Sequence, residues 1–299
     1  MSTTLECRLL CASVTAYGVQ NDGTIANRPP YDQAVGFTDN PTGFAAGDDR
    51  INACLVGTNA DGVLLAFRGT LPPTSADHRQ TLLDWVSDLH AELIKVDGVP
   101  GRVHEGFWSA LDSLWPQITP EIKKRLNQGG GKKLYITGHS KGGSMAHLAA
   151  LRLAVVEGIN ASVCTFAGAH PADEDFAAAY DNAIAATRYE YADDIVPHLP
   201  PSPAILPMFA SIPSFSSDPQ VAGLFQRADL NYASVGTLKY INRDGAIVGD
   251  SATLRFTRFE SLAKLIARLS FETIVKDHAS ACGGGYMSAV CPTDVCPAP

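Results

Sequence analysis

The sequence has no hydrophobic run approaching the roughly eighteen residues of a membrane-spanning helix, and it has no cluster of lysine or arginine. The first absence argues against a transmembrane segment. The second, together with a formal net charge of −8, argues against nucleic acids and anionic membranes as partners. Charged residues make up 18% of the chain and hydrophobic residues 45%, a composition that fits a soluble enzyme.

The N-terminal residues also lack the basic-then-apolar order of a secretory signal peptide. A secreted and a cytoplasmic location both stay open on this basis, and the compartment is unknown. The length of 299 residues is near the upper limit for one hydrophobic core. We therefore expect a single domain over residues 1–299.

The seven cysteines lack the paired spacing of a zinc site, so we expect no metal. Cys54 and Cys164 lie in strand-like runs and are expected to be small buried core residues. Cys7 and Cys11 are one helical turn apart, a spacing that rarely suits a bond between them. Because the count is odd, at least one thiol is free or intermolecular. The remaining three lie in a Gly/Pro-rich tail that a disulfide would stabilise: Cys282, Cys291 and Cys296.

Strand-like and helix-like segments alternate along the chain, which predicts an α/β fold: a central, mostly parallel sheet with helices on both faces. The prolines at 116 and 120 predict that one of the helices is split in two. The predicted strands are 50–58, 62–68, 134–136, 162–168, 188–191, 237–241 and 246–248. The predicted helices are 5–17, 106–127, 145–153, 172–186 and 261–275.

One strand-to-helix junction carries a serine in the position of a nucleophile. Residues 138–142 read Gly-His-Ser-Lys-Gly, between the strand 134–136 and the helix 145–153. In this G-x-S-x-G pattern, the nucleophile elbow, a tight turn forces a strained backbone on the serine and exposes its Oγ. A side chain at either glycine would collide with the flanking strand and helix, and the helix N-terminus favours a developing oxyanion. We therefore predict that Ser140 is a catalytic nucleophile rather than part of an accidental Gly/Ser turn.

Ser140 needs a general base, and the order of residues along the chain limits the candidates. In α/β-hydrolase arrangements the order is serine, acid, histidine, which leaves His198 and His278. His198 is four residues after Asp194, too near to bond that carboxylate and also reach a distant serine. His278 follows a predicted helix, and we predict that it is the base rather than a surface or capping residue.

The acid comes from a pair of adjacent aspartates, Asp193 and Asp194. Both end a strand on the elbow's side of the sheet, where ligand sites form in open α/β folds. One of them should face the imidazole, while the other caps the turn or faces water. The residues alone leave open which is which.

The chain resembles the class 3 lipases, the fungal-type triacylglycerol lipases of the α/β-hydrolase superfamily, from about residue 5 to residue 290. Minor signatures of that family match at 84–89, 103–107 and 232–236. The principal motifs occur in the family's order: Phe-Arg-Gly-Thr at 67–70, Gly-His-Ser-Lys-Gly-Gly at 138–143, Asp-Ile-Val-Pro at 194–197 and Asp-His at 277–278.

The resemblance implies the roles of the site residues. It makes Ser140 the nucleophile, Asp194 the acid and His278 the base. It also places Thr70 in the oxyanion hole, through its backbone N–H and its hydroxyl. The second donor would be the backbone N–H of Lys141, where leucine is commoner in the family. Because that role needs only the N–H, the lysine should leave the hole intact and change the polarity or ion pairing beside it. The family requires neither a cofactor nor a metal.

The resemblance also implies a lid at about residues 71–83. The middle of this segment is polar, with Asp77, His78 and Arg79 adjacent, and it lacks the wide apolar face of a strongly interfacial helix. A Pro-rich excursion at about residues 197–225 is far more apolar. It is either a buried wrapping loop, or a second lid or wall of an acyl groove.

The function implied is that of a serine carboxylester hydrolase, first of all a triacylglycerol lipase or esterase that forms an acyl-enzyme with an ester or lipid substrate. The alternatives are a feruloyl esterase or a phospholipase A1 of the same family. A third alternative is a non-catalytic lipid-binding relative, but an intact catalytic triad argues against it. The sequence gives neither the acyl length nor the oligomeric state.

Overall fold

The computed structural model describes residues 3–71, 78, 81, 92–128, 132–202, 231–268 and 270–296. An eight-stranded sheet lies at the centre of this part of the chain. Its strands, in spatial order, are β1 (Thr42–Ala46), β2 (Asn52–Thr58), β3 (Gly62–Phe67), β6 (Lys133–His139), β7 (Ala161–Phe166), β9 (Ala185–Tyr191), β11 (Thr237–Ile241) and β12 (Ile247–Gly249). The five strands from β3 to β11 pair in parallel, and antiparallel strands extend the sheet at both edges. The mostly parallel sheet predicted from the alternation is thus confirmed.

A smaller antiparallel sheet joins segments that are distant in the chain. It consists of β4 (Leu93–Ile94), β5 (Val103–His104), β8 (Ala172–Asp173) and β10 (Tyr232–Ala233).

Helices cover both faces of the large sheet. In β3, Val63, Leu65 and Phe67 belong to the core on one face, whereas Leu64 and Ala66 belong to the core on the other, because successive side chains alternate. Within the described residues, no helix is both long and apolar enough to cross a membrane. The helices are α1 (Leu5–Thr15), α2 (Tyr31–Val35), α3 (Glu105–Gln128), α4 (Lys141–Glu157), α5 (Glu174–Ala183), α6 (Ala252–Ala267), α7 (Phe271–Asp277) and α8 (Gly285–Val290).

The prediction that the helix at 106–127 is broken by its two prolines is wrong. The helix α3 is continuous, with Pro116 and Pro120 inside it. Both prolines are exposed and lie four residues apart on the solvent side, whereas Leu114, Trp115 and Ile118 are buried. The carbonyl groups that lose a helical hydrogen bond at the prolines therefore face water, and the buried face stays intact.

The helix predicted at 261–275 is instead two helices, α6 and α7. The chain turns between them, where the Ser270 N–H donates to the Leu265 carbonyl oxygen at 2.9 Å. The helix predicted at 172–186 is also shorter than expected. Asp173 caps the start of α5 by accepting from the Phe176 N–H, and the chain is already a strand from Ala185. The break between α6 and α7 matters for the site because His278 directly follows α7.

Disulfides tie the N-terminal helix to the C-terminal segment and close that segment on itself. Two of the three cysteines in the C-terminal tail bond each other, as expected, whereas the third, Cys291, bonds a cysteine of α1. Cys11, Cys54 and Cys164 are free and buried, and burial was expected for the last two. The bonds are Cys7–Cys291 and Cys282–Cys296.

Candidate active site

Ser140 lies between the last residue of β6 and the first residue of α4. Its backbone has φ 58° and ψ −134°, a conformation that residues with side chains rarely adopt. A Cβ on Gly138 would come within 2.1 Å of the Gly142 carbonyl oxygen, and a Cβ on Gly142 within 2.4 Å of the Phe67 carbonyl oxygen. Sterics therefore require both glycines, as the elbow pattern predicts.

Asp194 lies just beyond β9 and is 1% exposed. Its Oδ1 accepts from the Val196 N–H at 3.0 Å, and its Oδ2 accepts from the Tyr286 hydroxyl at 2.7 Å. The Nδ1 atom of His278 lies 3.0 Å from each carboxylate oxygen. Because a carboxylate only accepts, Nδ1 carries a hydrogen, and Nε2 is the ring nitrogen that can accept a proton whenever the ring is neutral. The geometry thus holds His278 in the tautomer that a general base needs.

A cavity of about 380 Å³ brings Ser140, His278 and Thr70 to one surface. Asp194 lies behind His278 and does not line this cavity. Lys141 is the first residue of α4, and its Nζ donates to Asn52 Oδ1 at 2.8 Å, so its side chain binds an amide oxygen. The structure therefore places four of the predicted site residues around one cavity or directly behind it, and the fifth at the helix N-terminus next to the serine.

His139, which precedes the serine, links two distant parts of the chain. Its Nε2 lies 2.8 Å from the His278 carbonyl oxygen and its Nδ1 lies 3.0 Å from the Tyr17 hydroxyl. A carbonyl only accepts, so Nε2 donates to it and the Tyr17 hydroxyl donates to Nδ1. Burial and the nearby His278 hold the pKa of His139 well below its ordinary value, so the ring is neutral. This chain of hydrogen bonds fixes the backbone of His278.

Asp193, the other candidate for the acid, faces a different partner. Its Oδ2 lies 2.5 Å from Nη2 of Arg243, and its backbone N–H donates to Asp277 Oδ2 at 3.1 Å. Arg243 also contacts Asp277 Oδ2 at 2.8 Å. One arginine therefore bridges the residues that directly precede Asp194 and His278.

His198, the other candidate for the base, lies apart from this cavity. Its Nε2 is 3.3 Å from the guanidinium of Arg258, which pairs with Glu190 at 2.5 Å. Burial lowers the pKa of His198 to about 3, so the ring is neutral and accepts from the arginine. His198 belongs to a buried ion cluster and has no access to Ser140 through the cavity.

Sequence reasoning missed Tyr17, His139, Arg243 and Tyr286. His139 carried a signal, because it lies inside the elbow motif. The other three carried none, since each reaches the site from a distant segment.

Most of the predicted lid at 71–83 lies outside the described residues, as does the minor signature at 84–89. Leu71, His78 and Thr81 are described, and all three line the cavity. The excursion predicted at 197–225 is described from 197 to 202 only. Its interpretation as a wrapping loop or a second lid therefore concerns residues outside the described part of the chain.

Comparison with known proteins points to one family. Residues 64–203 match the family model of class 3 lipases. The lipase of Rhizomucor miehei is 28% identical over 154 residues, which covers 49% of this chain and 39% of that protein. A chloroplastic phospholipase A1 of Arabidopsis thaliana, PLIP2, is 35% identical over 77 residues, which covers 25% of this chain and 11% of that protein.

The crystal structure of a lipase from Rhizopus microsporus var. chinensis superposes on the chain with a TM-score of 0.61 and 20% identity. The match covers 88% of this chain and 86% of that one. At this identity the likeness shows the fold alone, which is that of the α/β-hydrolases. In sequence, the chain spans well under half the length of these two curated relatives.

Proposed function

We propose that this chain, which matches the model of the class 3 lipases over residues 64–203, is a serine carboxylester hydrolase acting as a triacylglycerol lipase or esterase. One observation carries the proposal: the Nδ1 of His278 bonds the buried Asp194 while His278 and Ser140 line one cavity. This arrangement leaves Nε2 on the cavity side as a base. The substrate would be an ester or lipid, presented in solution or at a lipid–water interface.

In the proposed mechanism, His278 Nε2 takes the proton of Ser140 as Oγ attacks the ester carbonyl carbon. Asp194 stabilises the imidazolium that forms. Thr70 and the backbone N–H of Lys141 would donate to the oxyanion, each such donor being worth about 3 kcal/mol in the transition state. His278 then protonates the departing alcohol, and water releases the acid from the acyl-enzyme. Each step uses protein groups and water alone.

We also propose that residues 1–299 form one α/β-hydrolase domain, with a lid at about 71–83. His78 and Thr81, in the cavity lining, support a gating role for this segment. Its polar middle would lose hydration on meeting lipid, which offsets part of the gain from burying Leu82 and Leu83. We therefore expect weak interfacial activation.

The test is hydrolysis of p-nitrophenyl esters of increasing acyl length, with an emulsified triglyceride alongside. We expect turnover of the esters and loss of both turnover and fluorophosphonate labelling in Ser140→Ala. An unmodified chain that neither turns over these esters nor reacts with the fluorophosphonate would refute the proposal and favour a lipid-binding relative.

A phospholipase A1 is the second candidate. The match to the Arabidopsis phospholipase A1 favours it over other ester specificities. Preferred hydrolysis of a short-chain glycerophospholipid over the corresponding diacylglycerol would distinguish it from a neutral lipase.

A further inference from the structure

Arg28 lines the cavity that contains Ser140 and His278. The residue lies between α1 and α2, and its side chain is half-buried. The wall around it is largely apolar, with Val14, Leu71 and Val275 among the lining residues. A guanidinium in such surroundings loses hydration when a lipid fills the cavity, unless the lipid supplies an acceptor.

Within the part of the chain that is described, the Arg28 side chain has no hydrogen bond or ion pair, and the cavity lining contains neither aspartate nor glutamate. Several other half-buried or buried arginines are paired with carboxylates, as Arg102 is with Asp173 and Arg258 with Glu190, whereas the buried Arg68 donates to the carbonyl oxygens of Val19 and Ile51. An arginine kept unpaired at a substrate cavity is available for a ligand.

We infer that Arg28 binds an anionic group of the ester substrate, either a phosphodiester or a carboxylate. The inference rests on the proposed function, because it assigns the substrate class of the same site. The planar guanidinium matches both kinds of oxyanion through paired N–H donors. Because Arg28 and Ser140 line one cavity, the anion must be joined to the scissile ester by a short linker. A neutral triacylglycerol has no such group.

The test compares matched substrate pairs below their aggregation concentrations. One pair is dihexanoylphosphatidylglycerol and dihexanoylglycerol; the other is p-nitrophenyl hydrogen adipate and p-nitrophenyl hexanoate. The quantity measured is the ratio of kcat/KM for the anionic substrate to that for the neutral one. We expect Arg28→Gln to lower this ratio by about tenfold or more in at least one pair. Arg50→Gln, on an exposed arginine outside the cavity, should leave both ratios unchanged.

The pair that responds identifies the anion as phosphodiester or carboxylate. Ratios in Arg28→Gln that stay within about twofold of wild type for both pairs would overturn the inference. Hydrolysis of p-nitrophenyl hexanoate by the wild type separates this failure from a failure of the proposed function. A wild type that hydrolyses none of the four substrates would overturn both.

Arg243 supports a second and independent inference. It lies in the turn between β11 and β12, outside the cavity lining, with 48% of its side chain exposed. The two carboxylates that it contacts, on Asp193 and Asp277, are almost fully buried, at 5% and 6% exposed. Two buried carboxylates repel one another, and a shared guanidinium offsets that repulsion.

The bridge joins segments that are 84 residues apart. One end directly precedes Asp194 and the other directly precedes His278. We propose that Arg243 is a positioning residue, which holds the acid and the base in register through their chain neighbours. Displacements of about 1 Å are enough to cost large factors in rate.

The test uses Arg243→Met and Arg243→Lys, with Arg255→Met as a control that removes an exposed ion pair to Asp250. The kcat for p-nitrophenyl hexanoate is expressed per site titrated by fluorophosphonate, so that loss of folded enzyme does not enter. We expect Arg243→Met to lower kcat by about tenfold with KM within about twofold, and Arg243→Lys to restore most of the loss. A kcat for Arg243→Met within about twofold of the control would overturn the proposal.

Discussion

The substitution Asp194→Asn should reveal how strongly Asp194 controls the protonation of His278. The carboxylate of Asp194 accepts from three groups: the Val196 N–H, the Tyr286 hydroxyl and the His278 Nδ1–H. An amide offers one oxygen and one NH2 group in the same space. When the NH2 group faces the imidazole, Nδ1 must accept, and the ring proton moves to Nε2.

A proton on Nε2 leaves no base for Ser140. By analogy with serine proteases, we expect Asp194→Asn to lower kcat by about 10⁴, equivalent to about 5.5 kcal/mol of transition-state stabilisation. The matched control is Asp193→Asn. Its amide oxygen still accepts from Arg243, and its backbone N–H still reaches Asp277. We expect it to cost less than about tenfold in kcat.

The assay is kcat on p-nitrophenyl hexanoate at pH 8, with circular dichroism and thermal unfolding to establish that both variants fold. The reverse ranking of the two variants would show that Asp193 is the acid. An Asp194→Asn enzyme within about tenfold of wild type would refute the argument from the tautomer.

Three further predictions concern the nucleophile, a buried histidine and a disulfide. Ser140→Ala should lower kcat by about 10⁶ without changing the circular dichroism spectrum, and activity above about a tenth of wild type would contradict its role. Burial lowers the pKa of His147 from 6.5 to about 3, so below pH 6.5 the unfolded chain binds a proton that the folded chain excludes. The contribution of the neutral ring to the free energy of unfolding is therefore complete above pH 6.5 and declines as the pH falls toward 3. When the free energy of unfolding is measured by urea titration across this range, His147→Gln should flatten the decline by about 1.4 kcal/mol per pH unit. An unchanged slope of the free energy of unfolding against pH would refute the assignment. Replacing Cys7 and Cys291 together by alanine should lower the free energy of unfolding by about 3 kcal/mol, and an unchanged urea midpoint would contradict this. Both are replaced because Cys11 Sγ lies 4.0 Å from Cys291 Sγ and a single change could let it take over the bond.

The part of the site that depends on local structure could be predicted from the sequence. The strained turn at Ser140 needs small neighbours at fixed positions, so the motif and its flanking strand and helix were readable together. The alternation of strands and helices similarly predicted the parallel sheet. Local rules failed at α3, where two exposed prolines were tolerated because the opposite face is buried. They also failed at the turn between α6 and α7, which no glycine or proline marks.

The contacts that hold the acid and the base depend on the ends of the chain. Tyr17, just after α1, bonds His139 across 122 residues, and His139 in turn bonds the backbone of His278. Tyr286, in α8, bonds Asp194 across 92 residues. No spacing rule relates residues so far apart, because only the folded sheet brings them together.

The Cys7–Cys291 disulfide joins the same two terminal segments. Cys7 lies in α1, which leads to the tyrosine behind the base, and Cys291 follows α8, which carries the tyrosine behind the acid. A displacement of the C-terminal segment would therefore reach Asp194 through the Tyr286 hydroxyl, and a displacement of the N-terminal segment would reach His278 through Tyr17 and His139. For this reason a change in the C-terminal residues bears on catalytic geometry as well as on stability, even though Tyr286 lies outside the cavity lining.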